Sequence, residues 1–188
     1  MKNLLLIILF LSVGFSQQKK SDEPNPKKGI KTETILKYEY EEKFGEFNEI
    51  FKSKTIFKYD SNGNRVEYST YDSDGSLESK TIYKYDSNGN MVELSSYDSD
   101  GSLMRKYISK YDSNGNNVEW SRYDSDGSLD SKTITQYDSN GNRVEWSSYD
   151  SDGSLWGKYI SQYDSDGNRV EWSYYDFFQI FTFFIKLI

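Results

Sequence analysis

The chain is 188 residues long and carries a net charge of −7, with 35% apolar residues, no histidine and no cysteine. An acidic balance excludes nucleic acid and anionic lipid surfaces as expected partners. The missing histidine and cysteine remove the commonest general base, thiol nucleophiles, zinc ligands and disulfides.

The N-terminus has the pattern of a secretory signal peptide over residues 1–16. Lys2 supplies the positive start, Leu4 to Val13 an apolar run, and Gly14 and Ser16 the small residues of a cleavage site. That run is too short for a membrane-spanning helix, which needs about 20 residues. No transmembrane segment is therefore expected in the mature chain, and a secreted, periplasmic or cell-surface location is. Residues 17–30 are polar, contain two prolines and read as a disordered linker.

Residues 31–58 (Ile35-Leu-Lys-Tyr-Glu-Tyr40 and Ser53-Lys-Thr-Ile-Phe-Lys58 within them) read as a degenerate hairpin capping the array. From Tyr59 to Asp176 the array is regular. Tyr-Asp occurs ten times, at Tyr59, Tyr71, Tyr85, Tyr97, Tyr111, Tyr123, Tyr137, Tyr149, Tyr163 and Tyr175, with spacings alternating 12 and 14, so the period is 26 residues. A fixed period of this size marks a repeat architecture. Nine of the ten pairs continue into Ser-Asn-Gly or Ser-Asp-Gly. An aspartate followed three residues later by glycine is the chemistry of a type I turn closed by a left-handed glycine. Each repeat is thus a hairpin, and the whole an all-β, elongated and twisted antiparallel meander.

Counting strictly from each three-residue loop pairs Tyr71 with Leu77, Glu67 with Thr81, Val66 with Ile82, Tyr85 with Met91 and Ile82 with Leu94. This register places Val66, Ile82, Val92, Ile108, Val118, Ile134, Val144, Ile160 and Val170 on one face with Tyr68, Leu94, Trp120, Trp146 and Trp172. The other face takes the Tyr-Asp tyrosines, Leu77, Leu103, Leu129 and Leu155, with Tyr83, Tyr107 and Tyr159. A sheet of about ten strands twists and tends to curl or split, so the Val/Ile/Trp face is expected to wrap inward. Residues 177–188, rich in Phe and Ile, break the pattern. They read as a capping strand or as the end of a longer array that stops short.

The segment Tyr-Asp-Ser-Asn-Gly-Asn-Arg-Val-Glu (59–67), recurring from Tyr85, Tyr111, Tyr137 and Tyr163, resembles the YD repeat of the Rhs/YD-repeat family. There, Tyr-Asp is followed by two residues, then Gly and a polar–apolar strand. The resemblance covers residues 55–176. It implies an extracellular β-strand shell or spiral, with carbohydrate or cell-surface binding as in some members. The period here is longer than the family's usual one and no toxin-bearing C-terminal domain follows, so toxin delivery is not implied. A weaker similarity is to MORN-like hairpin arrays, whose Gly-Xaa-Gly pattern is absent.

Catalysis is not expected, because carboxylate pairs such as Asp72 and Asp74 recur in every repeat whereas an active site is a single constellation. The same turns offer oxygens at alternate positions, so Asp72, Asp74, Asp98 and Asp100 form a weak calcium alternative; no other cofactor is indicated. Turn formation alone explains them. Trp120, Trp146 and Trp172, at equivalent positions, and Trp156 on the same face are the candidate ligand-binding residues. They suit stacking on sugar rings or a cell-surface protein, or else form the core of a curled sheet. The sequence expectation is an exported, non-enzymatic binding module, with a structural protein self-associating through its sheet edges, or a fragment of a larger YD-repeat protein, as the alternative.

Overall fold

The computed structural model describes residues 26–176 and the strand 183–186. It is all-β, an open sheet of twelve strands in strict sequence order, each antiparallel to the last. The strands are β1 (Thr32–Lys43), β2 (Glu46–Tyr59), β3 (Arg65–Tyr71), β4 (Leu77–Tyr85), β5 (Met91–Tyr97) and β6 (Leu103–Tyr111). They continue as β7 (Asn117–Tyr123), β8 (Leu129–Tyr137), β9 (Arg143–Tyr149), β10 (Leu155–Tyr163), β11 (Arg169–Asp176) and β12 (Phe183–Lys186).

The first two strands form a long hairpin closed by Phe44 and Gly45, both at positive φ, 55° and 84°. Two positive φ values make this a type I′ turn, whose twist matches that of the strands. Residues 26–29, inside the expected linker, form a turn. The expected signal peptide lies outside the described residues, as does most of the C-terminal tail. Within that tail, the β12 backbone pairs with β11 from Tyr174↔Phe183 to Glu171↔Lys186.

The repeat turns follow the sequence expectation closely. In the turn after β4, Asp86 N–H donates to the Asn90 carbonyl at 3.0 Å and Gly89 N–H donates back to the Asp86 carbonyl at 3.1 Å. The Asp86 carboxylate closes the loop: its Oδ1 accepts from the backbone of Asn88 and Asn90, each at 2.9 Å, and its Oδ2 from the Asn90 amide. Tyr71↔Leu77 and Tyr85↔Met91 pair as the loop length requires.

Beyond that first pair the register departs from the expected one. Glu67 pairs with Ile82 rather than Thr81, and Ile82 pairs with Ser95 rather than Leu94. Just after every repeat turn the outgoing strand carries one extra residue. It is Val66, Val92, Val118, Val144 or Val170 at one end of the sheet, and Glu78, Met104, Asp130 or Trp156 at the other. These β-bulges absorb one residue each and add local twist. Because side chains alternate with period two, a shift of one residue exchanges the faces. Tyr83, Tyr107 and Tyr159 therefore share a face with the tryptophans, and the isoleucines lie on the opposite one.

What selects this register is visible in the pairs it makes. Lys58↔Glu67, Lys84↔Glu93 and Lys110↔Glu119 stand directly opposite, with Nζ–Oε1 distances of 2.9, 2.9 and 3.0 Å. Glu93 and Glu119 also reach Lys106 and Lys132 on the next strand. Between these pairs runs a row of serines: Ser69, Ser95, Ser121 and Ser147, each at most 2% exposed. Every one of the four lies opposite an isoleucine on one neighbouring strand (Ile56, Ile82, Ile108, Ile134) and a lysine on the other (Lys80, Lys106, Lys132, Lys158). The lysine stem and the branched isoleucine cover the small serine while the ammonium reaches water.

The sheet is one layer thick. Each strand touches only its sequence neighbours, and no apolar residue among those described is buried. The expected inward wrapping of a Val/Ile/Trp face does not occur: the bulges separate isoleucine from tryptophan, so neither face is apolar enough to close on itself.

A second ladder binds one hairpin end to the next. The phenols of Tyr85, Tyr111, Tyr137 and Tyr163 donate to the carbonyls of Arg65, Met91, Asn117 and Arg143, at 3.0, 3.1, 3.3 and 3.1 Å. Each acceptor is the first residue of a bulged strand, where the regular ladder is interrupted. Tyr137→Phe is expected to lower stability by about 0.5–1.5 kcal/mol, measured by urea unfolding.

Gly141 stands at φ 84° with open space around the position of a Cβ, so Gly141→Ala meets no clash and isolates the conformational cost. That cost is about 1–2 kcal/mol for a non-glycine residue in the left-handed region. The same urea experiment checks it.

Candidate functional site

The aromatic face is built by alternate positions of the odd strands and their even partners. Phe57 and Tyr68 lie at one end, Tyr107 and Trp120 in the middle, and Trp146, Tyr159, Trp172 and Tyr174 at the other. The ring centroids are 5.3 Å apart both for Phe57–Tyr68, which are tilted, and for Tyr107–Trp120, which stack. Tyr159 joins the last group: its centroid lies 5.7 Å from Trp146, 6.4 Å from Trp172 and 4.5 Å from Tyr174. Trp146, Tyr159 and Trp172 thus form a continuous shelf over β9, β10 and β11.

Of the four candidate tryptophans, Trp120, Trp146 and Trp172 are half-buried, and Trp156 is 59% exposed. The core reading of these residues is corrected: none of the four is buried. Trp156 is the bulge residue of β10 and shares an open hollow with Trp146, Thr133 and Ser148. Trp120 stands apart from Trp146, because Thr133 and Thr135 of β8 occupy the strand between them.

Residues that counting from the turns had missed complete the shelf. Tyr159 was assigned to the other face. Tyr174 takes the place held by Thr70, Ser96, Arg122 and Ser148 in the other repeats, and its ring lies on Gly157, whose missing Cβ would meet the Tyr174 oxygen at 3.1 Å. Arg143 and Arg169 line a hollow of about 510 Å³ together with Trp146, Tyr159 and Trp172. The signal was present in the sequence: Arg-Val-Glu-Trp occurs only at 143–146 and 169–172, and Gly157 is the only glycine of the repeats outside a turn.

The acidic turns do different work. Asp72 Oδ1 accepts from the backbone of Asp74 and Ser76, each at 2.9 Å, and Asp98 Oδ1 from Asp100 and Ser102 at 3.0 and 2.9 Å. One oxygen of each leading aspartate is thereby committed to its own turn, with Asp74 and Asp100 at the tips. Among the described residues no three acidic side chains gather as a metal site.

Four carboxylates that organise the sheet, Asp112, Asp138, Glu93 and Glu119, are held below their usual pKa. For Asp112 and Asp138 the cause is the amide of Asn116 or Asn142, followed by the backbone N–H of the same asparagine. For Glu93 and Glu119, burial pushes upward, but hydrogen bonds and charges from the flanking lysines outweigh it.

Groups with lowered folded-state pKa contribute stability that is present above the unfolded value and lost as pH falls through the folded one. The unfolded values are about 4, so the melting temperature is expected to be flat from neutrality to about pH 5 and to fall below about pH 4. Thermal melts across that range check the sign: a protein that gains stability on acidification would contradict it.

No protein-family model matches the chain, and no curated protein does. Similarities to solved structures are remote. The crystal structure of TcdB2-TccC3 is 13% identical with a TM-score of 0.47, and that of TcdB2-TccC3-Cdc42 is 12% identical at 0.46. Each match covers 76% of this chain but only 9% of the other, so the chain spans under a tenth of their length. A porin-like protein from Bacteroides uniformis ATCC 8492 is 14% identical with a TM-score of 0.37, over 86% of this chain and 62% of that one. Likenesses this remote place the chain in no family.

Proposed function

We propose that the chain is an exported, non-enzymatic repeat protein whose aromatic face binds glycan at the cell envelope. One observation carries the reading: the Trp146–Tyr159–Trp172 shelf, three rings at successive strands on a face that no other described strand covers. Aromatic rings present an apolar face that the C–H surface of a sugar ring can stack upon, and their polar tips stay wet. Solvent-facing aromatic rows of this kind are costly to leave exposed and mark interaction surfaces. The signal-peptide pattern at residues 1–16 supports export. The absence of histidine and cysteine, with carboxylates repeated in every turn, supports binding rather than catalysis.

A titration of the full chain with a panel of polysaccharides, followed by tryptophan fluorescence, tests this. A saturable shift is expected, with affinity reduced at least about tenfold in Trp146→Ala while circular dichroism and the melting temperature stay unchanged. A fluorescence response that ignores Trp146→Ala would move the site elsewhere, and no response to any polysaccharide would remove the glycan reading.

The open sheet supports a second reading, structural self-association. The outer edge of β1 has no partner strand among those described, and unpaired edges template further pairing. Along that strand Glu33, Lys37, Glu39, Glu41 and Lys43 put charge on the edge, which opposes such pairing. Sedimentation velocity on the full chain and on a version lacking residues 177–188 separates the two readings. Large species lost on deletion and indifferent to Trp146→Ala favour self-association.

A further inference from the structure

Charge on the aromatic face is uneven, and its distribution names a class of glycan. On the opposite face the lysines are tied to glutamates, as Lys84 is to Glu93 and Lys158 to Glu145. On the aromatic face Arg122 is tied to Asp130. Arg143 and Arg169 differ: neither makes an ion pair with any described residue, although the chain as a whole is acidic. The nearest carboxylates in sequence, Glu145 and Glu171, lie on the isoleucine face, where Glu145 is paired with Lys158. The next on the turn side, Asp138 and Asp164, are engaged in their own turns. Asp138 accepts from the backbone of Asn140 and Asn142 and from the Asn142 amide, and Asp164 likewise from Asp166 and Asn168.

Both guanidiniums open onto the shelf. Arg143 and Arg169 line the same hollow as Trp146, Tyr159 and Trp172, and Arg169 stands 5.9 Å from the Trp172 ring centroid. The two arginines begin β9 and β11 at equivalent positions, with one strand between them. Two strand spacings put them roughly 10 Å apart, about the length of a disaccharide. In the preceding repeats the equivalent residues are Arg65 (with Tyr68), Met91 (with Leu94) and Asn117 (with Trp120), so the combination of arginine with tryptophan is confined to the repeats of Arg143 and Arg169.

We propose that this shelf recognises an anionic polysaccharide carrying one acidic group per disaccharide. The sugar rings lie on Trp146, Tyr159 and Trp172, and successive carboxylates or sulfates meet Arg143 and Arg169. A guanidinium offers paired N–H donors that match either oxyanion, and stacked on an aromatic ring it is held in place for that contact. Single-stranded nucleic acid also combines stacking with charge, but it carries a phosphate at every nucleotide and binds grooves with a continuous cationic track. Two cations a disaccharide apart on an acidic protein fit the polysaccharide better. The inference rests on the glycan reading above and adds the charge of the ligand.

The test compares hyaluronate (one carboxylate per disaccharide), κ-carrageenan (one sulfate per disaccharide), neutral dextran and oligothymidylate, each titrated into the full chain by calorimetry at low and high salt. At least one of the two acidic polymers is expected to bind about tenfold or more tighter than dextran, and to weaken as salt is raised. Arg143→Gln with Arg169→Gln should abolish that preference without changing the melting temperature. Arg65→Gln, which alters the same position over Phe57 in the first repeat, should leave it intact. Dextran binding as tight as the acidic polymers, and indifferent to the double substitution, would overturn the inference and leave the glycan reading standing. Binding of no polysaccharide would overturn both. Oligothymidylate binding that depends on Arg143 and Arg169, with the acidic polysaccharides inert, would replace it with a nucleic-acid site.

Discussion

A sheet whose described strands form a single layer depends on what each strand does to its immediate neighbours, and here that depends on the aspartate-led turns between them. In eight of the nine repeat turns the leading carboxylate gathers the N–H groups of the loop, and in the turn from Asp124 the carboxylate of Asp126 accepts from Ser128 instead. In all nine the glycine three residues on takes the left-handed conformation and the outgoing strand leaves with one residue too many. The resulting bulge fixes the register, and the register fixes which side chains meet. With no hydrophobic core among the described residues, cohesion comes from the backbone ladder, the lysine–glutamate pairs, the covered serines and the tyrosine bonds between hairpin ends. Each of these is a contact between adjacent strands, so stability accumulates along the array as in other repeat proteins.

The same bulges give the two faces different chemistry. One face alternates charge with isoleucine around a small serine, an arrangement that satisfies itself: every glutamate with an ion pair there has its lysine within the sheet. The other face collects Trp120, Trp146, Trp172, Tyr107, Tyr159 and Tyr174, with threonine and serine between them and few charges to pair. Of the two, the charged face has little left to offer a partner. The aromatic face, whose rings are half-buried or exposed, keeps its apolar surface accessible.

Much of the architecture was legible because it is local. The Asp-Ser-Asn-Gly and Asp-Ser-Asp-Gly turns announced the hairpins, the 26-residue period announced their repetition, and pairs adjoining the loops, such as Tyr85↔Met91, followed from loop length alone. The failure began one residue further on. Val92 and Glu78 look like ordinary strand residues, and a count that admits no bulge sets valine against isoleucine, which looks like a core. The pairing of Lys84 with Glu93 was the better guide, since opposite charges directly across a ladder favour one register and a slip destroys all such pairs together. Once the register slips, Tyr159 moves to the wrong face and the shelf it completes disappears from view. Trp146 and Trp172 could be singled out from sequence; Arg143 and Arg169 stand beside them in the Arg-Val-Glu-Trp pattern, but that pattern gained its meaning only from the hollow the four residues share.

The geometry of a single layer also constrains what the aromatic face can hold. Its hollows are open, so a ligand keeps one side in water, and no single sugar can be enclosed as it would be in a cleft that buries most of its surface. Contact with one residue is then weak by construction. Affinity has to come from several rings engaging one chain at once, because a second contact made by a tethered ligand is effectively intramolecular. Trp146, Tyr159 and Trp172 at successive strands meet that requirement for a polymer and not for a monosaccharide. Because each strand touches only its neighbours, the last repeats could acquire Arg143, Gly157, Arg169 and Tyr174 without disturbing the register of those before them. On the proposed reading, an array specialised over two repeats in this way meets a polymer segment by segment, and the spacing of its strands sets the segment it can match.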